Sequence, residues 1–223
     1  MKRFFCVICV LAALSGCAAT GTHPDDPYEG FNRAMFSFNE GLDTVVKPVA
    51  EGYETLTPLP IRVVIGNFFG NIGDVWISVN NFLQGKVEAG FSDIGRVLVN
   101  STFGFCGIFD FASEMGLEKH SEDFGQTLGV WGVESGPYFF WPIIGPRTAR
   151  DTFGWGVDFA VDPVRRIRHD NATRNTLIGV RTIEGRARLL QAEKVLDSAS
   201  FDKYNTIRNM YLNGRAAAIK DED

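Results

Sequence analysis

The chain has 223 residues, 45% of them hydrophobic and 22% charged, with a formal net charge of −5. That length suffices for one domain with a core, and the acidic balance makes nucleic acid a poor partner. Nineteen phenylalanines and 24 glycines, spread without low complexity, fit either a Phe-rich soluble core or a surface that meets lipid.

Met1-Lys2-Arg3 and the apolar run from Phe4 to Leu14 have the layout of a secretory signal, too short for a permanent span. The run closes on Leu14-Ser15-Gly16-Cys17, which resembles the lipobox of bacterial lipoproteins. Residues 1–16 are then a removable signal peptide, Cys17 the lipidation site, and residues 17–25 a lipidated tether. Each buried methylene contributes about 0.8 kcal/mol, so several acyl chains on one cysteine hold a protein stably to a bilayer. Ala18 rather than aspartate follows Cys17, which under the sorting rule of enteric lipoproteins favours the outer membrane. Losing Lys2 and Arg3 takes the net charge from −5 to −7 and leaves Cys106 as the only unacylated cysteine. Its setting, Phe103 to Phe109, predicts a small buried hydrophobe rather than a nucleophile.

Asp26-Pro27-Tyr28-Glu29 reads as a helix start, with Asp26 at N-cap and Pro27 at N1. Phe31, Met35, Phe38 and Leu42 then share one face of a helix expected to end at Pro48. Asn32, Asn39 and Asp43 share another face, and two readings of it stand. It meets water or caps neighbouring helices, or it borders a polar path through the protein. A second helix is expected from Ile61 to Gly73, and a third capped by Asp74 and stopped at Gln84-Gly85. Val87, Phe91, Ile94 and Leu98 continue the pattern. Leu117 to Asp123 reads as a charged solvated loop, and Gly136 to Pro146 holds too many prolines for a helix and should run extended. Helices are expected from Pro146 to Val161, after the Asp162-Pro163 cap pair, and around Tyr204, Ile207 and Tyr211, with 216–223 a charged tail. The sum is an all-α single domain of short amphipathic helices, with no apolar run long enough for a spanning helix after the signal.

No nucleophile motif, phosphate-cradling glycine loop or dinucleotide pattern is present, and His23, His120 and His169 lack partners at metal spacing. No cofactor, metal site or catalytic residue is expected. His120 with Glu118, Glu122 and Asp123 is the nearest to a catalytic grouping, and nothing nucleophilic accompanies it. Residues 18–146 hold 6 basic and 16 acidic side chains, whereas 147–188 hold 9 and 5. Within the second stretch, Arg165, Arg166 and Arg168 are either a solvated helix start or a contact to anionic lipid headgroups.

The run Asp26 to Asn39 resembles the opening motif of the MlaA/VacJ lipoproteins of Gram-negative bacteria. So do Asn80-Asn81-Phe82-Leu83-Gln84-Gly85, Gly125-Gln126-Thr127-Leu128-Gly129, Gly136-Pro137-Tyr138 with Gly145-Pro146, and Glu184 to Leu190. These matches run in order over residues 26–215, which the resemblance makes the helical domain. It implies a ring of helices in the inner leaflet of the outer membrane, pierced by a polar channel, with no chemical step. Such proteins remove phospholipid misplaced in the outer leaflet. They pass it to a periplasmic carrier that feeds an inner-membrane ABC transporter, and they associate with trimeric porins. The alternative is a structural, porin-associated lipoprotein without transport activity; a lipid-modifying enzyme would need a nucleophile with a base. Family members often carry a longer C-terminal tail, so contacts that depend on one are not implied for this chain.

Overall fold

The computed structural model describes residues 23–221, so the signal peptide and Cys17 lie outside the described residues. Helix α1 (Glu29–Leu56) starts behind Tyr28, not Asp26, and has no side-chain cap. Asp26 is wholly buried and occupied by Asn32, Tyr204 and Arg208, partners that compete successfully with a capping role. Pro48 lies inside α1 instead of ending it. A proline within a helix costs about 3 kcal/mol. Packing of the following turns offsets that cost, since Ala50 is buried against Ala187 and Leu190 with Tyr53 alongside. The break falls at Thr57-Pro58, and α2 (Leu59–Leu83) opens with a proline in its first turn.

Helix α2 is continuous where two helices were expected. Asp74 sits in its middle, 1% exposed, and faces Arg96 of α3 (Val87–Thr102) at 3.5 Å, so a tertiary ion pair replaces the anticipated cap. After α3, Phe105, Cys106 and Gly107 all take positive φ, and this turn throws Cys106 outward. The cysteine is exposed, contrary to the buried role its apolar neighbours suggest. A single helical turn, α4 (Phe111–Glu114), follows, and then α5 (Phe124–Val130), which opens on a capping box between Asp123 and Gln126.

The proline-rich stretch is extended, as expected, and pairs with itself. Strands β1 (Tyr138–Trp141) and β2 (Gly145–Thr148) run antiparallel, Tyr138 opposite Thr148 and Trp141 opposite Gly145. Pro146 therefore belongs to β2, and α6 (Ala149–Val161) starts behind a Thr148 cap. Asp162-Pro163 begins a turn, not a helix, because Asp162 is engaged by Arg165 and Arg181. Helices α7 (Asn171–Ala199) and α8 (Lys203–Lys220) take Asp170 and Asp202 as caps, and α8 extends into the residues read as a tail.

The packing closes a circuit: α1 meets the hairpin and α7, α7 meets α2, α2 meets α3 and α5, α5 meets α6 and α8, and α8 returns to β2. Helices α5 and α6 cross through glycine, since a Cβ on Gly154 would lie 2.4 Å from the Gly125 nitrogen. The interior is the reverse of an ordinary core. Only eight hydrophobic residues are buried among the described residues, against seventeen polar or charged ones. No described helix is long and apolar enough to cross a membrane.

Candidate functional site

The polar face of α1 holds the hairpin. Asn32, 0% exposed, donates from Nδ2 to Asp26 Oδ1 at 2.7 Å and to the Tyr138 carbonyl at 3.0 Å, and accepts from the Phe140 N–H at 2.8 Å. Two turns on, Asn39 donates to the Trp141 carbonyl at 3.0 Å and accepts from the Ile143 N–H at 2.8 Å. One turn further, Asp43 takes two hydrogen bonds from Arg186 of α7. Arg186 is the first cause that lowers the Asp43 pKa, and burial opposes it. The three residues expected to share a polar face do so. Asn32 cannot border an open path, because it has no exposed surface and all its polar atoms are used; Asn39 and Asp43 are half-buried.

A second polar cluster joins α2 to α3. Arg96, 1% exposed, donates to both Asp110 oxygens at 2.9 Å and to the Leu117 carbonyl at 2.7 Å, while Lys119 closes on Asp74. A third ties α8 to α5 and α6. Arg215 reaches Asp123 at 2.7 Å and Asp151 at 3.0 Å, and Tyr211 donates to Asp151 at 2.5 Å. Burial pushes the Asp151 carboxyl up, but Arg215, Tyr211 and Arg150 outweigh it and hold the pKa at about 2. Asp158 shows the opposite balance. Burial raises its pKa despite hydrogen bonds from Trp76 and the Phe124 N–H.

Between the first turns of α3, the 116–123 segment and the end of α8 lies a cleft of about 1290 Å³. The grouping around His120 faces it as an irregular loop in which Glu118 is exposed, as expected, while the other three members are bonded to neighbouring elements. His120 Nδ1 is 3.2 Å from Asp93, Glu122 accepts from Lys86, Gln84 and Gln126, and Asp123 holds Arg215. The cleft also exposes Glu118 of the 116–123 segment, and Glu88 and Phe91 of α3, whose periodicity does not distinguish them from an ordinary amphipathic face. The Asn80 to Gly85 motif was the available signal, for Asn81 is among the residues that line this cleft.

Much of the outer surface is apolar. Among the described residues thirty-one large hydrophobic side chains are exposed, including Leu59, Phe91, Leu98, Phe103, Phe105 and Met115 from α2 to α4. Of the basic cluster, Arg165 lies 3.8 Å over the Phe159 ring and pairs with Asp162, Arg166 binds the Ala160 carbonyl, and Arg168 is exposed. Arg165 and Arg166 lie in the turn that follows α6, and Arg168 lies just beyond it. No group of histidine, cysteine or carboxylate residues suited to a metal ion occurs among the described residues.

This architecture has solved counterparts. The fold matches a structure from work on the structural basis for maintenance of bacterial outer membrane lipid asymmetry, with a TM-score of 0.75 and 33% identity. The match covers 87% of this chain and 98% of that one. A protein of Escherichia coli named intermembrane phospholipid transport system lipoprotein MlaA is 35% identical over 210 residues, 89% of this chain and 81% of its own. An uncharacterized protein of Rickettsia bellii is also 35% identical, over 87% of this chain and 77% of its own. The family described as MlaA lipoprotein matches residues 24–218, from just before the buried Asp26 to the last turns of α8. With the family match spanning residues 24–218 and a relative 35% identical over most of both chains, the chain belongs to the MlaA lipoprotein family.

Proposed function

We propose that the protein is an outer-membrane lipoprotein that maintains lipid asymmetry by removing phospholipid from the outer leaflet and passing it to a periplasmic carrier. The observation that carries this reading is the inverted polarity: polar side chains are paired inside and apolar ones face out along α2 to α4. Polar groups facing hydrocarbon are costly, so such a distribution suits a body embedded in one leaflet, with a polar interior for a headgroup to follow. The relatives named for phospholipid transport supply the cargo class. In this reading Asn39 and Asp43 border the polar path, while Asn32 fixes the hairpin that walls it. Arg165, Arg166 and Arg168 meet headgroups at the membrane surface, where each basic side chain contributes about 1 kcal/mol. The lipid moves without covalent change.

A trimeric porin, as structural support, and a soluble lipid carrier feeding an ABC transporter complete the proposed system. The test is outer-leaflet phospholipid in a strain lacking the gene, measured by its accessibility to added phospholipase. Loss of the gene should raise it and complementation should restore it. Unchanged outer-leaflet lipid, with the protein still co-purifying with a porin, would favour a purely structural lipoprotein. Fatty acid released from labelled phospholipid by the purified protein would make it an enzyme instead.

A further inference from the structure

The cleft beside α3 is amphipathic. Phe91 and Val87, 64% and 55% exposed, line it and belong to the apolar surface of α3, while most of the remaining lining is polar or charged. Its three strong bases are already matched to carboxylates. Lys86 pairs with Glu122 and Asp221, Arg215 with Asp123 and Asp151, and Lys119 with Asp74. Five carboxylates line the cleft against those three bases, and the side chains of Glu88 and Glu118 have no ion pair or hydrogen bond among the described residues.

The lining adds a second, independent sign. Asn81 is 0% exposed, and its Nδ2 donates to Asp93 at 2.8 Å, which fixes the orientation of the amide. The opposite atom, Oδ1, is an acceptor with no hydrogen-bond partner. A buried acceptor left unpaired is costly, and a ligand that donates there recovers the loss. Lys119 is the only one of the three bases with substantial exposure, its side chain 45% accessible beside Asp74.

We propose that this cleft is a headgroup site selective for phospholipids that bear a primary ammonium group. The ammonium would sit between Glu88 and Glu118 with one N–H directed toward Asn81, and the phosphate would lie by Lys119, with the acyl chains leaving past Phe91. An ammonium offers three donors, whereas a trimethylammonium offers none and a glycerol headgroup brings no positive charge. This rests on the transport reading above and adds a headgroup preference to it.

The test uses the full acylated protein in detergent, mixed with equal amounts of phosphatidylethanolamine, phosphatidylcholine and phosphatidylglycerol, and mass spectrometry of the lipid that co-purifies. The ethanolamine lipid should be enriched about tenfold over each of the others, the scale of one charge-assisted hydrogen bond. The double variant Glu88→Gln and Glu118→Gln should bring the ratios near one with total bound lipid little changed. Glu54→Gln, which faces Arg62 away from the cleft, should keep the preference. The wild-type ratios decide the matter even where the double variant fails to fold. Equal capture of the three lipids, or enrichment of the glycerol lipid, overturns the headgroup preference and leaves the transport reading standing. Capture of none, together with unchanged outer-leaflet lipid in the deletion strain, overturns both.

Discussion

Replacing Asn32 tests whether the polar face of α1 is a clamp. Its side chain serves three groups in a site with no solvent access: the Asp26 carboxylate, the Tyr138 carbonyl and the Phe140 N–H. Asn32→Ala removes all three interactions and leaves the two backbone groups buried without them. Each buried polar group deprived of its partner costs about 1–3 kcal/mol. Asp26 retains Tyr204 and Arg208, so its share of the loss is small. The expected total is about 3–5 kcal/mol, which lowers the melting temperature of a domain of this size by about 10 °C. The assay is thermal unfolding of purified protein in detergent, followed by circular dichroism, with amide exchange at Phe140.

Asn32→Asp sharpens the test because it keeps the shape and the acceptor for Phe140. It also sets a second carboxyl against Asp26, where the present contact is 2.7 Å. Two carboxylates in contact at a buried site repel when both are ionised, so this variant carries a charge penalty at neutral pH that the alanine variant lacks. The aspartate variant should therefore regain stability as pH is lowered, and the alanine variant should not. An alanine variant that melts within about 2 °C of the parent, with the Phe140 amide still protected, would refute the clamp.

Asp151 should make the opposite pH contribution. Its folded pKa of about 2, against an ordinary aspartate value of 3.8, gives stability that is complete above about pH 4 and lost as pH falls toward 2. The contribution is about 2 kcal/mol, and Asp151→Asn should flatten that part of the melting-temperature profile. Asn39→Leu removes the two bonds at the hairpin tip, so exchange of the Ile143 amide should rise at least about tenfold. The same variant should alter outer-leaflet phospholipid while the protein stays lipidated, and wild-type behaviour in both readouts would contradict the role given to Asn39. Cys17→Ser should abolish palmitate labelling and leave the precursor unprocessed; equal label on both proteins would remove the lipid anchor.

Periodicity locates the helices of this protein well and their ends poorly. The apolar spacing of Phe31, Met35, Phe38 and Leu42 marks α1, and the prolines of 136–146 mark the extended segment that becomes the hairpin. Pro48 and Asp74 mislead because each looks like a local stop, and a tertiary contact decides both cases. Ala50 packs on α7, and Asp74 finds Arg96. Asp26 and Asp162 look like caps for the same reason, and each is taken by a partner far along the chain, Arg208 and Arg181. The site was legible as a face and not as a set of contacts. Helical spacing brings Asn32, Asn39 and Asp43 together, but no local rule reveals that a hairpin more than a hundred residues away would take up two of them. The cleft residues Glu88 and Glu118 sit in stretches that look like ordinary solvated charge, and only the pairing of every neighbouring base sets them apart.

The same distribution explains why so polar an interior can be stable. In a protein surrounded by water, burying Arg96 against Asp74 and Asp110 would gain little, because desolvation of the charges offsets their attraction. For a helix bordered by hydrocarbon the alternative to burial is worse than water, so polar groups turn inward and pair there. Two consequences can be read in the fold. Helix faces that would form a soluble core, such as Phe91, Leu98 and Phe103, point outward instead. Helices held by ion pairs and amide clamps also need geometry that side-chain packing alone would leave loose. That need accounts for the glycine contact at Gly125 and Gly154, which carries α5 across α6 at a distance no other residue allows. The polar contacts fall in separate groups: Asp43 with Arg186, Asn32 and Arg208 on Asp26, and Arg215 between Asp151 and Asp123. A body built this way is stiff where its polar groups are paired, and the proposed headgroup site lies where they are not, at the unpaired carboxylates and the unfilled amide of the cleft.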